Sequence, residues 1–229
     1  MTTVGTDPLG VQFDAADLWK LVDAAHAVGL PVLAHAHSLA GIRHALAAGV
    51  DGIEHFTGLT ETGIRVPDEV LEAVAEAGVD VDPTLGFDRE VLASMPAPPH
   101  GIAAAMKRIG LDFETAQAAR LQVLQRAQTH GIQLVTGVDA GAAPAKPHGI
   151  VSLALATLTE GGFSIADAVA SATAGAARAC GLAEVTGRLE PGLAADLLLV
   201  DGNLERDITA LQRPVTVLIR GNPLTPPPN

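Results

Sequence analysis

Apolar positions along the chain alternate between a helical period and short continuous runs. Leu18, Leu21, Val22, Ala25 and Val28 recur at helical spacing. Asp14 stands where an N-cap belongs, and Gly29 ends the run. Residues 31–36 then read as a buried strand. Residues 38–48 predict a second helix closed by Gly49, and 52–55 a second short strand. Residues 67–77 predict a third helix with Pro67 in its first turn, and 79–82 a third strand. The stretch 87–110 reads as irregular, with 95–100 as a loop or lid. Beyond it, 112–130 predicts a long helix, 132–138 a fourth strand, and 150–160 and 165–180 two further helices. Strand and helix in regular alternation predict a parallel α/β architecture; periodicity alone does not choose between a barrel and an open sheet.

The pattern changes near the end. Gly187-Arg-Leu-Glu-Pro-Gly192 is turn-rich. Residues 195–201 and 215–220 read as strands without a crossover helix of ordinary length between them. We therefore expect a main α/β domain over 1–185 and a small β appendage with a frayed tail over 186–229.

Composition narrows the function classes. The 229 residues are 48% hydrophobic, enough for a substantial core. The net charge of −12 offers no basic face for nucleic acid and no polybasic anchor for an anionic membrane. No apolar run approaches the about 18 residues of a membrane span. Cys180 is the one cysteine, which excludes an internal disulfide and a cysteine-rich zinc site. Met1-Thr-Thr-Val-Gly5 lacks the pattern of a signal peptide, so the expected location is the cytoplasm.

The candidate chemistry sits where apolar runs end. His35 and His37 close 31–37, His55 closes 52–55, and Asp139 closes 135–139. Imidazoles and a carboxylate gathered from successive strand ends are the raw material of a metal site at the catalytic face of an α/β enzyme. Alternation puts His35 and His37 on one strand face, about 7 Å apart at Cα. One metal could take both only if the strand end bends, so one is expected as a ligand and the other as a substrate or outer contact. His148 follows Asp139 closely and is expected to reach a substrate.

Four stretches carry a family resemblance: Val32-Leu-Ala-His-Ala-His-Ser38, Ala45-Leu-Ala-Ala-Gly-Val-Asp-Gly-Ile-Glu-His55, Thr136-Gly-Val-Asp-Ala-Gly141 and Gly187-Arg-Leu-Glu-Pro-Gly-Leu-Ala-Ala-Asp-Leu-Leu-Leu-Val-Asp201. In order and spacing they resemble the C-terminal part of the amidohydrolase superfamily, in its prolidase-like and imidazolonepropionase-like branch. The resemblance implies the C-terminal half of a TIM-type (β/α)8 barrel, strands 5–8, with the remnant of a small β-sandwich. It implies a divalent metal, zinc first, held by His35, His55 and Asp139. Asp139 would take the proton from the attacking water, with His37 beside the metal ligands. The reaction implied is hydrolysis of a carbon–nitrogen bond in an amide, cyclic amide or dipeptide.

The chain departs from the family pattern. Thr6-Asp-Pro-Leu-Gly-Val-Gln-Phe13 matches the loop after the fourth barrel strand, so the first half, its His-x-His and the bridging lysine have no counterpart; Lys20, Lys107 and Lys146 do not stand where one would replace it. Open sheet edges would then favour a second copy or a complementary N-terminal half as partner. Weak metal binding and slight hydrolysis are expected of the chain by itself. A non-catalytic or partner-dependent half-barrel scaffold is the alternative.

Overall fold

The computed structural model describes residues 7–95 and 101–224. The chain forms two compact units: residues up to 84 together with 89–134, and residues 85–88 together with those from 135 onward.

The first unit begins with α1 (Ala15–His26), whose first turn is capped by the Asp14 carboxylate accepting from Asp17 N at 2.8 Å. Then come β1 (Leu33–His35) and α2 (Leu39–Ala48). Ser38 Oγ caps α2 by accepting from Gly41 N at 2.9 Å, and Gly49 ends it in the left-handed conformation, φ 78°. β2 (Gly52–Glu54) is followed by a hairpin of β3 (Leu59–Thr60) and β4 (Gly63–Ile64) that the hydrophobic pattern did not signal. α3 (Asp68–Glu76) starts behind Pro67 and leads to β5 (Asp80–Asp82). The stretch read as irregular contains two helices, α4 (Arg89–Ser94) and α5 (Gly101–Arg108). Residues 96–100, within the expected loop or lid, lie outside the described residues. α6 (Phe113–Thr129) is capped by Asp112 accepting from Thr115 N at 2.7 Å.

The three strands pair in parallel in the order β1-β2-β5, with Leu33 opposite Gly52 and Gly52 opposite Asp80. Parallel pairing at strands only three residues long brings all their C-terminal ends to one edge of the sheet. Ile42, Ile53, Leu71, Val74, Val81 and Leu124 are almost wholly buried and form the core between sheet and helices. Burying each such side chain contributes about 1.5–3 kcal/mol.

The fourth strand, expected over 132–138, shrinks to one residue. Leu134 bridges Val81 in parallel, and Val81 N donates to Gln133 O at 3.0 Å. Beyond it the backbone bonds elsewhere: Thr136 N donates to Ser171 O at 3.1 Å and Val138 O accepts from Lys146 Nζ at 2.8 Å. A strand needs a ladder partner, and this segment spends its polar groups on a helix and a side chain instead.

The second unit contains α7 (Val151–Glu160), α8 (Ile165–Ala172) and α9 (Ala174–Ala179). The single helix expected over 165–180 is broken at Thr173 (φ −123°, ψ −91°), whose hydroxyl donates back to Val169 O at 2.7 Å. The appendage is an antiparallel sheet of β6 (Leu197–Val200), β7 (Pro214–Ile219) and β8 (Asn222–Pro223), with a 3-10 turn at Ile208–Gln212 between β6 and β7.

Candidate metal centre

His35 is the last residue of β1, His37 stands two residues beyond it, and His55 directly follows β2. The backbone there is pinned: His55 N donates to Asp82 O at 2.7 Å, Ala36 N to Glu54 O at 3.1 Å, and Leu59 N to His37 O at 2.8 Å. His55 and Phe56 hold φ of 70° and 43°, left-handed values that a non-glycine residue keeps only where its surroundings impose them. The turn bends the strand end and swings the imidazole over its neighbours.

The three rings form one cluster. Centroids lie 4.7 Å apart for His35–His37, 4.2 Å for His35–His55 and 4.3 Å for His37–His55. One nitrogen from each ring lies within 4.8 Å of the others. His55 Nε2 is 2.7 Å from His35 Nδ1, so one of the two carries the shared proton. The outer nitrogens are held by buried hydroxyls: His55 Nδ1 is 2.7 Å from Thr84 Oγ1, and His37 Nδ1 is 3.0 Å from Thr57 Oγ1. Thr84 and Thr57 are 4% and 1% exposed. A bonded Nδ1 leaves Nε2 as the nitrogen facing the cluster, which fixes ring direction as an outer contact does around a metal.

Electrostatics keep His37 and His55 neutral. Burial, then the neighbouring His35 and Arg120, holds His37 down at about 2, and burial with His37 and His35 pushes His55 well below the usual imidazole range. Neutral imidazole is the form that binds a metal, and three imidazoles suit zinc, copper, nickel or cobalt better than magnesium or calcium. The donor set therefore fits a divalent metal. A cleft of about 260 Å³ adjoins the cluster; Asp7, Pro8, residues 10–13 and residues 32–38 line it, along with His44. His35 and His37 face it, so a ligand entering the cleft meets the imidazoles.

Asp139 and His148 belong to the second unit. Asp139 is exposed and left-handed, φ 52°, at the start of a tight loop. Ala142 N donates to Asp139 O at 3.2 Å and Gly141 N to Lys146 O at 2.7 Å. His148 packs beside this turn: its Nε2 would be 3.7 Å from a Cβ placed on Gly141. Lys146, 5% exposed, donates from Nζ to Val138 O at 2.8 Å and Gly86 O at 3.2 Å and lies 4.2 Å from the Phe87 ring centroid. That ammonium fixes the carbonyl joined to Asp139.

Sequence reasoning found the three histidines but missed the groups that hold them. Thr57 and Thr84 carry no spacing signal, because their partners are 20 and 29 residues away. β1 ends at His35, yet the His35 and His37 rings meet edge to face with centroids 4.7 Å apart.

Comparison with known proteins gives the family. The model of the amidohydrolase family matches residues 1–224. Ochratoxinase of Aspergillus niger is 29% identical over 213 residues, 92% of this chain and 41% of that protein. An uncharacterized Mycobacterium tuberculosis protein is 30% identical over 230 residues, 93% of this chain and 54% of that one. Among solved structures, a Xaa-Pro dipeptidase with methionine bound in its active site superposes with a TM-score of 0.77 at 26% identity, covering 93% of this chain and 49% of that one. The chain thus spans about half the length of the relatives it matches. It belongs to the amidohydrolase family.

Proposed function

We propose that this chain is the metal-binding C-terminal half of a hydrolase that cleaves carbon–nitrogen bonds in amides, cyclic amides or dipeptides. The convergence of three imidazoles at the ends of parallel strands, with His37 and His55 held neutral, carries this reading. His35 and His55 hold the metal, with zinc the first choice for an all-imidazole face. Asp139 joins them by its place in the family pattern. When bound, the metal lowers the pKa of water toward about 7 and polarises the scissile carbonyl. Asp139 accepts the proton of the attacking water at a carboxylate oxygen and returns it to the leaving nitrogen. Thr84 and Thr57 keep His55 and His37 turned inward, and His37 and His148 contact the substrate. Barrel strands 5–8 over 1–185, a sandwich remnant over 186–229 and a cytoplasmic location belong to the same reading.

A second reading is a scaffold that works only with a partner, either another copy or a complementary first half. It is favoured by the exposure of Leu33 on β1 (57%) together with Phe13, Trp19 and Leu30 (53%, 54% and 59%). Large apolar side chains left to solvent beside the edge strand β1 suit a covering partner.

Incubating the zinc-loaded chain with N-acyl amino acids and dipeptides, and assaying the released amine, tests the first reading. Slow hydrolysis that disappears in His55→Ala and Asp139→Asn is expected. Hydrolysis unchanged by either substitution contradicts the proposal, and no hydrolysis without an added partner favours the scaffold.

A further inference from the structure

Thr84 holds a conformation that its own side chain resists. It is β-branched, buried and left-handed, φ 47°, two residues beyond the end of β5. Branching at Cβ makes that region costly, and such a residue keeps it only where its surroundings impose it. The strain coincides with a contact to the imidazole cluster: Thr84 Oγ1 stands 2.7 Å from His55 Nδ1. Two charged side chains outside the cluster impose it.

The first is Asp82. Its Oδ1 accepts from Thr84 N at 2.7 Å, the turn an aspartate makes with the amide two residues on. Its backbone oxygen accepts from His55 N, also at 2.7 Å. One residue thus holds both the backbone of a metal-site histidine and the backbone of the threonine that meets its ring. The second is Arg120 on α6. Pro83, in the middle of the turn, has no N–H, so its carbonyl is the one polar backbone group it offers. Arg120 Nη2 donates to that carbonyl at 2.5 Å. Arg120 is half-buried; burial lowers its pKa to about 10 against the pull of Asp82, and it stays charged at neutral pH. A charged donor makes the stronger kind of hydrogen bond, which suits a clamp on a strained turn.

The direction of the proton follows from the task of the ring. A ligating imidazole offers a lone pair from one nitrogen and donates an N–H from the other. His55 Nε2 is the nitrogen that faces His35, so Nδ1 has to carry the proton and Thr84 Oγ1 has to accept it. A hydroxyl can donate or accept, and its oxygen serves as acceptor for this ring only where the backbone beneath it is fixed. We propose that Asp82 and Arg120 are positioning residues of the metal centre: they clamp the Pro83–Thr84 turn so that Thr84 Oγ1 accepts from His55 Nδ1 and Nε2 is left unprotonated for a metal ion. His35 Nδ1 then supplies the proton shared across the 2.7 Å contact with His55 Nε2. This rests on the metal-binding reading above, but the tautomer of His55 is a property of the metal-free chain.

Long-range proton–nitrogen correlation on the metal-free, histidine-labelled 229-residue chain reads the tautomer of each ring, and competition with a chromophoric chelator reads zinc affinity. Wild-type His55 is expected as the Nδ1–H tautomer. In Asp82→Ala it becomes a mixture, and zinc affinity falls by about tenfold or more, the usual effect of losing an outer contact. Asp82→Asn keeps an acceptor for Thr84 N and restores both readouts. In a Thr84→Val background, Asp82→Ala brings no further loss of affinity, because its effect passes through Thr84. Wild-type His55 protonated at Nε2, an unchanged tautomer in folded Asp82→Ala, or losses that add in the double variant overturn the proposal. Should Asp82→Ala fail to fold, Arg120→Met decides by the same two readouts, and an unchanged tautomer there overturns the clamp. A wild type that shows the Nδ1–H tautomer, loses it in Asp82→Ala and binds no zinc keeps the clamp on His55 and removes the metal-binding reading.

Discussion

At the scale of single residues, two hydroxyls do for this cluster what the ligand residues cannot do for themselves. Thr84 Oγ1 sits 2.7 Å from His55 Nδ1 and leaves Nε2 to face His35. Thr84→Val keeps the shape and removes that bond. Metal affinity is expected to fall by about tenfold or more, the usual effect of losing such an outer contact, in competition with a chromophoric chelator. An unchanged affinity would show that Thr84 only fills space. The neutral rings also link folding to pH. His37 and His55 have folded pKa values depressed below the unfolded value near 6.5, so protons bind the unfolded chain first. Their contribution is fully present above about pH 6.5 and is lost as pH falls below it. In metal-free protein the urea midpoint should therefore drop between about pH 7.5 and 5, and His37→Asn should flatten that slope. A midpoint constant over this range would contradict the burial of uncharged rings. The sequence showed His35, His37 and His55 as residues at run ends. Set against the family pattern it put His35 and His55 at one metal, but it did not show the contact of all three rings, which depends on the left-handed turn at His55 and Phe56 and on threonines far away in the chain.

At the scale of elements, the helices with a side-chain cap and a clear apolar period were the readable part, and α4 and α5 were not. Asp14, Ser38 and Asp112 each cap a helix through a side-chain oxygen three residues from its donor, a purely local signal. The fourth strand and the helix over 165–180 were not readable, since pairing at Leu134 and the break at Thr173 are decided by partners elsewhere. The β3–β4 hairpin escaped for the same reason; its strands are two residues long. It nevertheless bears on the site. Gly58, between Thr57 and β3, has φ 71°, and a Cβ there would lie 2.5 Å from Val66 Cγ2 and 3.0 Å from Arg65 O. Gly58→Ala is expected to cost about 2 kcal/mol or more in thermal or urea unfolding, from strain and overpacking together. A loss below about 0.5 kcal/mol would mean that the hairpin shifts freely.

At the scale of the whole molecule, the family assignment and the site point the same way but speak to different things. Residues 1–224 match the amidohydrolase family, whereas the relatives reach about twice this length. What this chain demonstrably brings together is an imidazole set within its first unit. The decisive property is whether those imidazoles hold a metal. The most direct measurement is a cobalt(II) titration of the metal-free chain, followed through the visible ligand-field bands. One equivalent should bind with the spectrum of an imidazole-coordinated ion, and His35→Ala and His55→Ala should each abolish it while leaving the fold intact by circular dichroism. No saturable binding, or binding indifferent to both substitutions, would contradict a metal centre at these histidines.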